Sequence, residues 1–107
     1  MKGVYLRFYV REDRKHGHQL LYEWLLQEAK RMGIHGGSAF KSMASFGRHG
    51  HLHHAHFFEL QGEGTMEVEF LVSPDEAQPL LDLIERERIR LVYAKIDAEI
   101  VGTEGKD

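Results

Sequence analysis

Residues 65–85 read TMEVEFLVSPDEAQPLLDLIE, and the period of their apolar residues changes once, at Ser73. Before it, Met66, Val68, Phe70 and Val72 alternate with Thr65, Glu67, Glu69 and Leu71, the period of two expected of a strand with one buried face. After it, Ala77, Leu80, Leu81 and Ile84 recur at helical spacing. The junction has its own chemistry. Ser73 offers a capping hydroxyl, Pro74 suits a first helical position that needs no amide hydrogen, and Glu76 completes a capping box. Pro79 lies near enough to the helix start to be tolerated with a kink.

Working outward, the same strand-to-helix change occurs earlier in the chain. Val4, Leu6, Phe8 and Val10 alternate with Tyr5, Arg7, Tyr9 and Arg11, and REDRKHGH (11–18) then interrupts as a polar connection. From His18 to Met32 the residues Leu20, Leu21, Trp24, Leu25, Ala29 and Met32 form one helical face, and Gly33 suits a C-terminal cap. GGSAFKSMASFG (36–47) reads as a strand entering close packing, and AHFFEL (55–60) reads as the first part of a third strand that continues through a bulge, bend or turn at QGEG (61–64) into residues 65–72. In the last strand Val92, Ala94, Ile96, Ala98 and Ile100 alternate with Tyr93, Lys95, Asp97 and Glu99. GTEGKD (102–107) reads as a loose tail.

The order is β-α-β-β-α-β. Right-handed crossovers then place both helices on one face of a four-stranded antiparallel sheet, the ferredoxin-like α+β architecture, as one domain over residues 1–107. With 107 residues, the chain is long enough for one hydrophobic core. A formal charge of −3 offers no general attraction to nucleic acid or to an anionic membrane. There is no cysteine, which removes disulfides and thiolate ligands together. MKGVYLRFYV alternates as a strand does rather than presenting a signal peptide, so the expectation is a cytoplasmic protein without membrane insertion.

A sheet with helices on one face leaves the other face for solvent or a partner. The alternation assigns Tyr5, Arg7, Tyr9, Glu67, Glu69, Leu71, Tyr93, Lys95, Asp97 and Glu99 to it. Tyrosines among charges of both signs suit a polar subunit contact. RNA-recognition modules share this topology, but Glu67, Glu69 and Glu99 and the absence of a basic surplus oppose that use.

Five of the eight histidines lie within FGRHGHLHHAH (46–56): His49, His51, His53, His54 and His56. If extended, this stretch puts His49, His51 and His53 on one side, a candidate set for zinc or another divalent cation. The spacing departs from standard zinc motifs, and a polar loop running into the third strand is the simpler reading. No paired-carboxylate or Ser/His/Asp constellation stands out, so an enzyme is not expected.

The SFG at the end of the second strand, the polar loop after it, the long third strand and the capped SPDEAQPLLDLIE helix resemble the PII signalling superfamily. The pattern LRFYVREDRKHGHQLLYEWLLQEAKRMGIHGGSAFKSMASFG is similar to a PII-like family of unknown function, and the resemblance covers residues 4–101. It implies a homotrimer that binds a small effector, usually an adenine nucleotide, in clefts between subunits. It also implies that residues 47–56 form a mobile loop reporting occupancy to a target protein. Phe46, Gly47 and Arg48 match the step at which the PII loop begins, and Lys95 and Ile96 match a lysine–isoleucine pair of the last strand. The alternation places Lys95 on the open face, where pairing with Glu67 or Glu69 across the sheet is the simpler reading. PII proteins carry a glycine–aspartate–glycine phosphate turn before that pair, whereas this chain has LVYA (91–94). AMP or ADP is therefore expected to suit the site at least as well as ATP. A metal-binding or cation-tolerance protein of the same fold, using the loop histidines, is the alternative.

Overall fold

The computed structural model describes residues 1–46, 52–54 and 64–106. Its main sheet has four strands: β1 (Lys2–Arg11), β4 (Ser38–Lys41), β7 (Thr65–Val72) and β8 (Val92–Glu99). They lie in the order β4-β7-β1-β8, and every neighbouring pair is antiparallel. Helices α1 (Leu21–Arg31) and α2 (Pro74–Arg86) cover one face, resting on β1 and β7. This is the expected ferredoxin-like sheet, with β1 and β7 at its centre.

Because directly opposed residues in antiparallel strands share a face, the pairs Leu6↔Phe70, Phe8↔Val68 and Val10↔Met66 assemble one apolar surface. Leu21, Trp24, Leu25 and Ala29 of α1 and Ala77, Leu80 and Ile84 of α2 close over it. Leu6 and Phe8 at the centre are fully buried. Each such side chain contributes about 1.5–3 kcal/mol relative to exposure. Phe8 and Phe70 meet edge to face with centroids 6.0 Å apart.

The helix ends follow local chemistry. The Glu76 N–H donates to the Ser73 hydroxyl at 3.3 Å, and the Ser73 N–H donates to the Glu76 carboxylate at 2.9 Å, closing the capping box. The latter bond holds the Glu76 carboxyl below its ordinary value against the opposing effect of desolvation, with the Ser73 hydroxyl and nearby His35 helping. At the end of α1, Gly33 has φ +90°. Its N–H donates to the Lys30 carbonyl, and the Ile34 N–H donates to the Ala29 carbonyl, the two bonds of a Schellman motif. α2 ends with the same pair of bonds, from Arg88 to Glu85 and from Ile89 to Ile84, but Arg88 must hold φ 58° without being glycine.

Several features depart from the sequence expectation. The polar connection 11–18 contains part of a small hairpin, β2 (Lys15–His16) against β3 (Gln19–Leu20), turning at Gly17 with φ 66°. Leu20 is thereby extended, and α1 starts at Leu21 rather than at His18. The second strand is broken: β4 pairs with β7, whereas β5 (Ala44–Phe46) pairs with β6 (Leu52–His54) in a separate hairpin. Part of the expected 47–56 loop is thus strand. AHFFEL and residues 61–63 of the expected bend lie outside the described residues.

The largest correction concerns β8. Phe8 opposes Tyr93, Leu6 opposes Lys95 and Val4 opposes Asp97, so these polar residues share the helix side, while Val92, Ala94 and Ile96 oppose Tyr9, Arg7 and Tyr5 on the helix-free face. The Tyr93 ring lies 5.4 Å from that of Phe8, in keeping with this register. Alternation separates two sets of side chains but does not say which faces inward, and a one-residue shift exchanges them.

Three stability outcomes follow from the helix ends. Ser73→Ala should lower the unfolding free energy by about 1 kcal/mol in urea titrations. Glu76→Gln should also destabilise at neutral pH, and its difference from wild type should close as pH falls. The depressed folded-state pKa means that this stabilisation is present above the unfolded carboxyl value and lost as Glu76 is protonated. Arg88→Gly should raise stability by about 0.5–1 kcal/mol, because relief of left-handed strain outweighs the added unfolded-state entropy. Thermal and urea unfolding would measure it.

Candidate functional site

The helix-free face is built around Arg7. Its Nε donates to Glu69 Oε1 at 3.0 Å and its Nη2 donates to the Tyr5 hydroxyl at 3.1 Å, with the guanidinium 5.4 Å from the Tyr5 ring centroid. The Tyr5 and Tyr9 hydroxyls hold the Arg7 guanidinium firmly charged. The Glu69 carboxylate, opposed by Arg7, raises the Tyr5 phenol above its ordinary value. Apolar side chains surround this network. Val92 and Ile96 from β8 are 64% and 52% exposed, and Leu71 and Phe40 from β7 and β4 are 49% and 53% exposed. Phe40 opposes Glu67, which places it on the same face. An apolar stripe on an edge strand, pointed away from the helices, would meet water in an isolated chain.

A cleft of about 330 Å³ lies at the other edge, where α1 gives way to β4. Leu26, Ala29, Ile34 and Phe70 supply apolar walls, Lys30 and His35 supply polar groups, and Gly36 and Gly37 complete the lining. Gly37 approaches Phe70 so closely that an added Cβ would collide with the ring, 2.7 Å from its Cδ1. In the main sheet, β4 pairs with β7 only as far as Ser38↔Glu69. Phe70–Val72 therefore have no strand beside them on that edge among the described residues.

Phe46 and Lys95, the two residues of the expected ligand site that lie among the described residues, stand apart. Phe46 ends β5, beyond the β4 edge, and is 73% exposed. Lys95 stands on β8, the opposite edge of the sheet. Three strand spacings, about 14 Å, separate those edges. Lys95 also lies on the helix side opposite Leu6 rather than on the open face, which rules out the expected pairing with Glu67 or Glu69 on that face. Gly47, Arg48, His49 and His51 lie outside the described residues. His53 is in β6, its backbone opposite Ser45. Among the described residues, no three His, Asp or Glu side chains gather as a metal centre requires. No described helix is long and apolar enough to cross a membrane.

Sequence reasoning missed the cleft and the outward stripe of β8. The glycine pair at 36–37 was the available signal for the former, since glycine before a strand often marks a close backbone approach. The strong amphipathicity of 92–100 was visible, but its direction was not.

Comparison with known proteins fits this geometry. Residues 3–95 match the family DUF190, described as "Uncharacterized ACR, COG1993". A UPF0166 protein of Aquifex aeolicus (strain VF5) is 24% identical over 101 residues, covering 94% of this chain and 95% of that one. Among solved structures, CPII of Thiomonas intermedia K12, a nitrogen regulatory PII-like protein bound to ADP, AMP and bicarbonate, superposes with TM-score 0.69 at 17% identity. That superposition covers 94% of this chain and 89% of CPII. A 2.3 Å structure of CPII with the same ligands gives TM-score 0.61 at 15% identity, covering 94% and 97%. At those identities the superpositions establish the fold alone, while the family match spans most of the sequence: this chain belongs to the DUF190 family.

Proposed function

We propose that this protein is a PII-like regulator that acts by binding rather than catalysis. In this reading three copies pack through their helix-free faces and hold an adenine nucleotide where neighbouring sheet edges meet. The observation that carries it is the outward stripe of Val92, Ala94 and Ile96 beside Tyr5 and Tyr9. Burying that stripe against other copies removes exposed apolar area, and the tyrosine hydroxyls and the Arg7–Glu69 pair suit a polar subunit contact.

The split between Phe46 and Lys95 supports the same reading. A closed ring would bring the β4 edge of one copy towards the β8 edge of the next. The cleft at Gly36–Gly37, the unpaired edge at Phe70–Val72 and a neighbour's Lys95 would then frame one ligand. Its base would lie against apolar walls, and its phosphates would meet Lys95 and Arg48. CPII, bound to ADP and AMP, supports an adenine nucleotide as the first ligand to try. The hairpin β5–β6 and residues 47–56 would carry the occupancy signal to a target protein.

Sedimentation at micromolar concentration should give a trimer. Ile96→Asp, which alters an exposed side chain, should give a folded monomer by the same measurement. A stable wild-type monomer would sink the reading.

Calorimetry should find AMP or ADP bound at least as tightly as ATP, since LVYA offers no glycine cradle for a third phosphate. Arg48→Ala should weaken binding by about 1.5–3 kcal/mol through loss of a charge-assisted hydrogen bond. A clear preference for ATP, or an Arg48→Ala protein that binds normally, would contradict the proposed site.

A further inference from the structure

The hairpin β5–β6 leaves the sheet at a root gripped from two sides. On one side the Ser42 N–H and hydroxyl both donate to the Thr65 carbonyl oxygen, at 2.9 and 3.1 Å, and Ser45 Oγ lies 3.2 Å from Thr65 Oγ1. On the other the Glu12 N–H donates to the Gly64 carbonyl oxygen at 2.6 Å. Over the top, Lys41 Nζ stands 3.3 Å from Glu12 Oε1, with both side chains 26% exposed. β7 separates β1 from β4 in the sheet, so this ion pair reaches across the start of β7 and joins the end of β4 to the residue that follows β1.

The carboxylate is only partly open to solvent. Glu12 Oε2 is shut off from solvent and accepts no hydrogen bond among the described residues. A Cβ at Gly64 would stand 2.8 Å from it. A charge enclosed in this way is tolerated because its partner is near, and the pair counts for more than one in open solvent.

We propose that the Glu12–Lys41 pair is a latch that fixes the direction in which the hairpin leaves the sheet. Both are positioning residues. β4 has only four residues. The cleft-lining residues His35, Gly36 and Gly37 immediately precede it, and the hairpin root at Ser42 immediately follows. A short strand so placed transmits displacement with little slack, and Lys41 is the residue at which it is tied to the β1–α1 connection. The latch follows from geometry alone. Its use in signalling rests on the proposal that the hairpin reports ligand occupancy.

The test is hydrogen exchange on the whole chain without ligand. In Lys41→Met and in Glu12→Gln, amides of Ala44–Phe46 and Leu52–His54 should exchange about tenfold faster than in wild type, with the β1–β7 ladder unchanged. Equal acceleration in that ladder would mean that the pair merely stabilises the fold, and unchanged hairpin exchange would also overturn the latch. The double variant E12Q/K41M removes the enclosed charge and guards against general unfolding. It should melt near the wild-type temperature with its hairpin still loose, and a double variant with a tight hairpin would overturn the proposal. ADP forms a separate arm. Slowed hairpin exchange with ADP in wild type but not in the double variant, at equal affinity, supports the coupling, and an unaltered response in the double variant refutes it. Failure of ADP to bind either protein counts against the nucleotide reading alone, because the ligand-free exchange still decides the latch.

Discussion

The register of β8 against β1 is the constraint on which the functional surface depends. At its far end the Met1 ammonium donates to the Ile100 carbonyl oxygen at 2.9 Å, and the Ile100 N–H donates to the Met1 carbonyl oxygen at 2.7 Å. At its middle the Tyr93 ring lies against Phe8. Gly3 contributes as well, since a Cβ there would meet the Ile100 side chain. With these contacts in place, every second residue of β8 is committed to one face. A slip by one position would turn Val92, Ala94 and Ile96 towards the helices and leave a polar outer surface.

The consequence is a molecule with two unlike edges. The β8 edge carries the outward apolar stripe and Lys95. The β4 edge carries the cleft, the unaccompanied Phe70–Val72 segment and the departing hairpin. Neither edge assembles a full ligand site from the described residues, and the distance across the sheet prevents one chain from joining them. In the proposed reading, function is a property of an assembly in which each copy lends a different edge.

The second strand leaves β7 just past Ser42, whose N–H still meets the Thr65 carbonyl oxygen in the register of β4 and whose hydroxyl adds a second hydrogen bond to the same oxygen. The chain then pairs with Leu52–His54 instead of continuing along β7. From the sequence, GGSAFKSMASFG offered no glycine or proline at residues 42–43 to signal the change.

What the sequence by itself determined is what depends on near neighbours. Ser73, Pro74 and Glu76 begin α2 because the capping partners are three residues apart. Gly33 ends α1 because glycine accepts a left-handed backbone at little cost. The core faces of β1 and β7 were legible because Leu6, Phe8, Val68 and Phe70 alternate with charged or tyrosyl residues that resist burial. Of the candidate site, Phe46 and Lys95 could be chosen by resemblance, but their placement on opposite edges could not. The cleft was illegible because it arises where Gly37 meets Phe70. The direction of β8 was illegible because the helices cover β1 and β7 without extending the core to its apolar stripe. Periodicity encodes which residues share a face, whereas only the packed helices and the register between strands decide which face is buried.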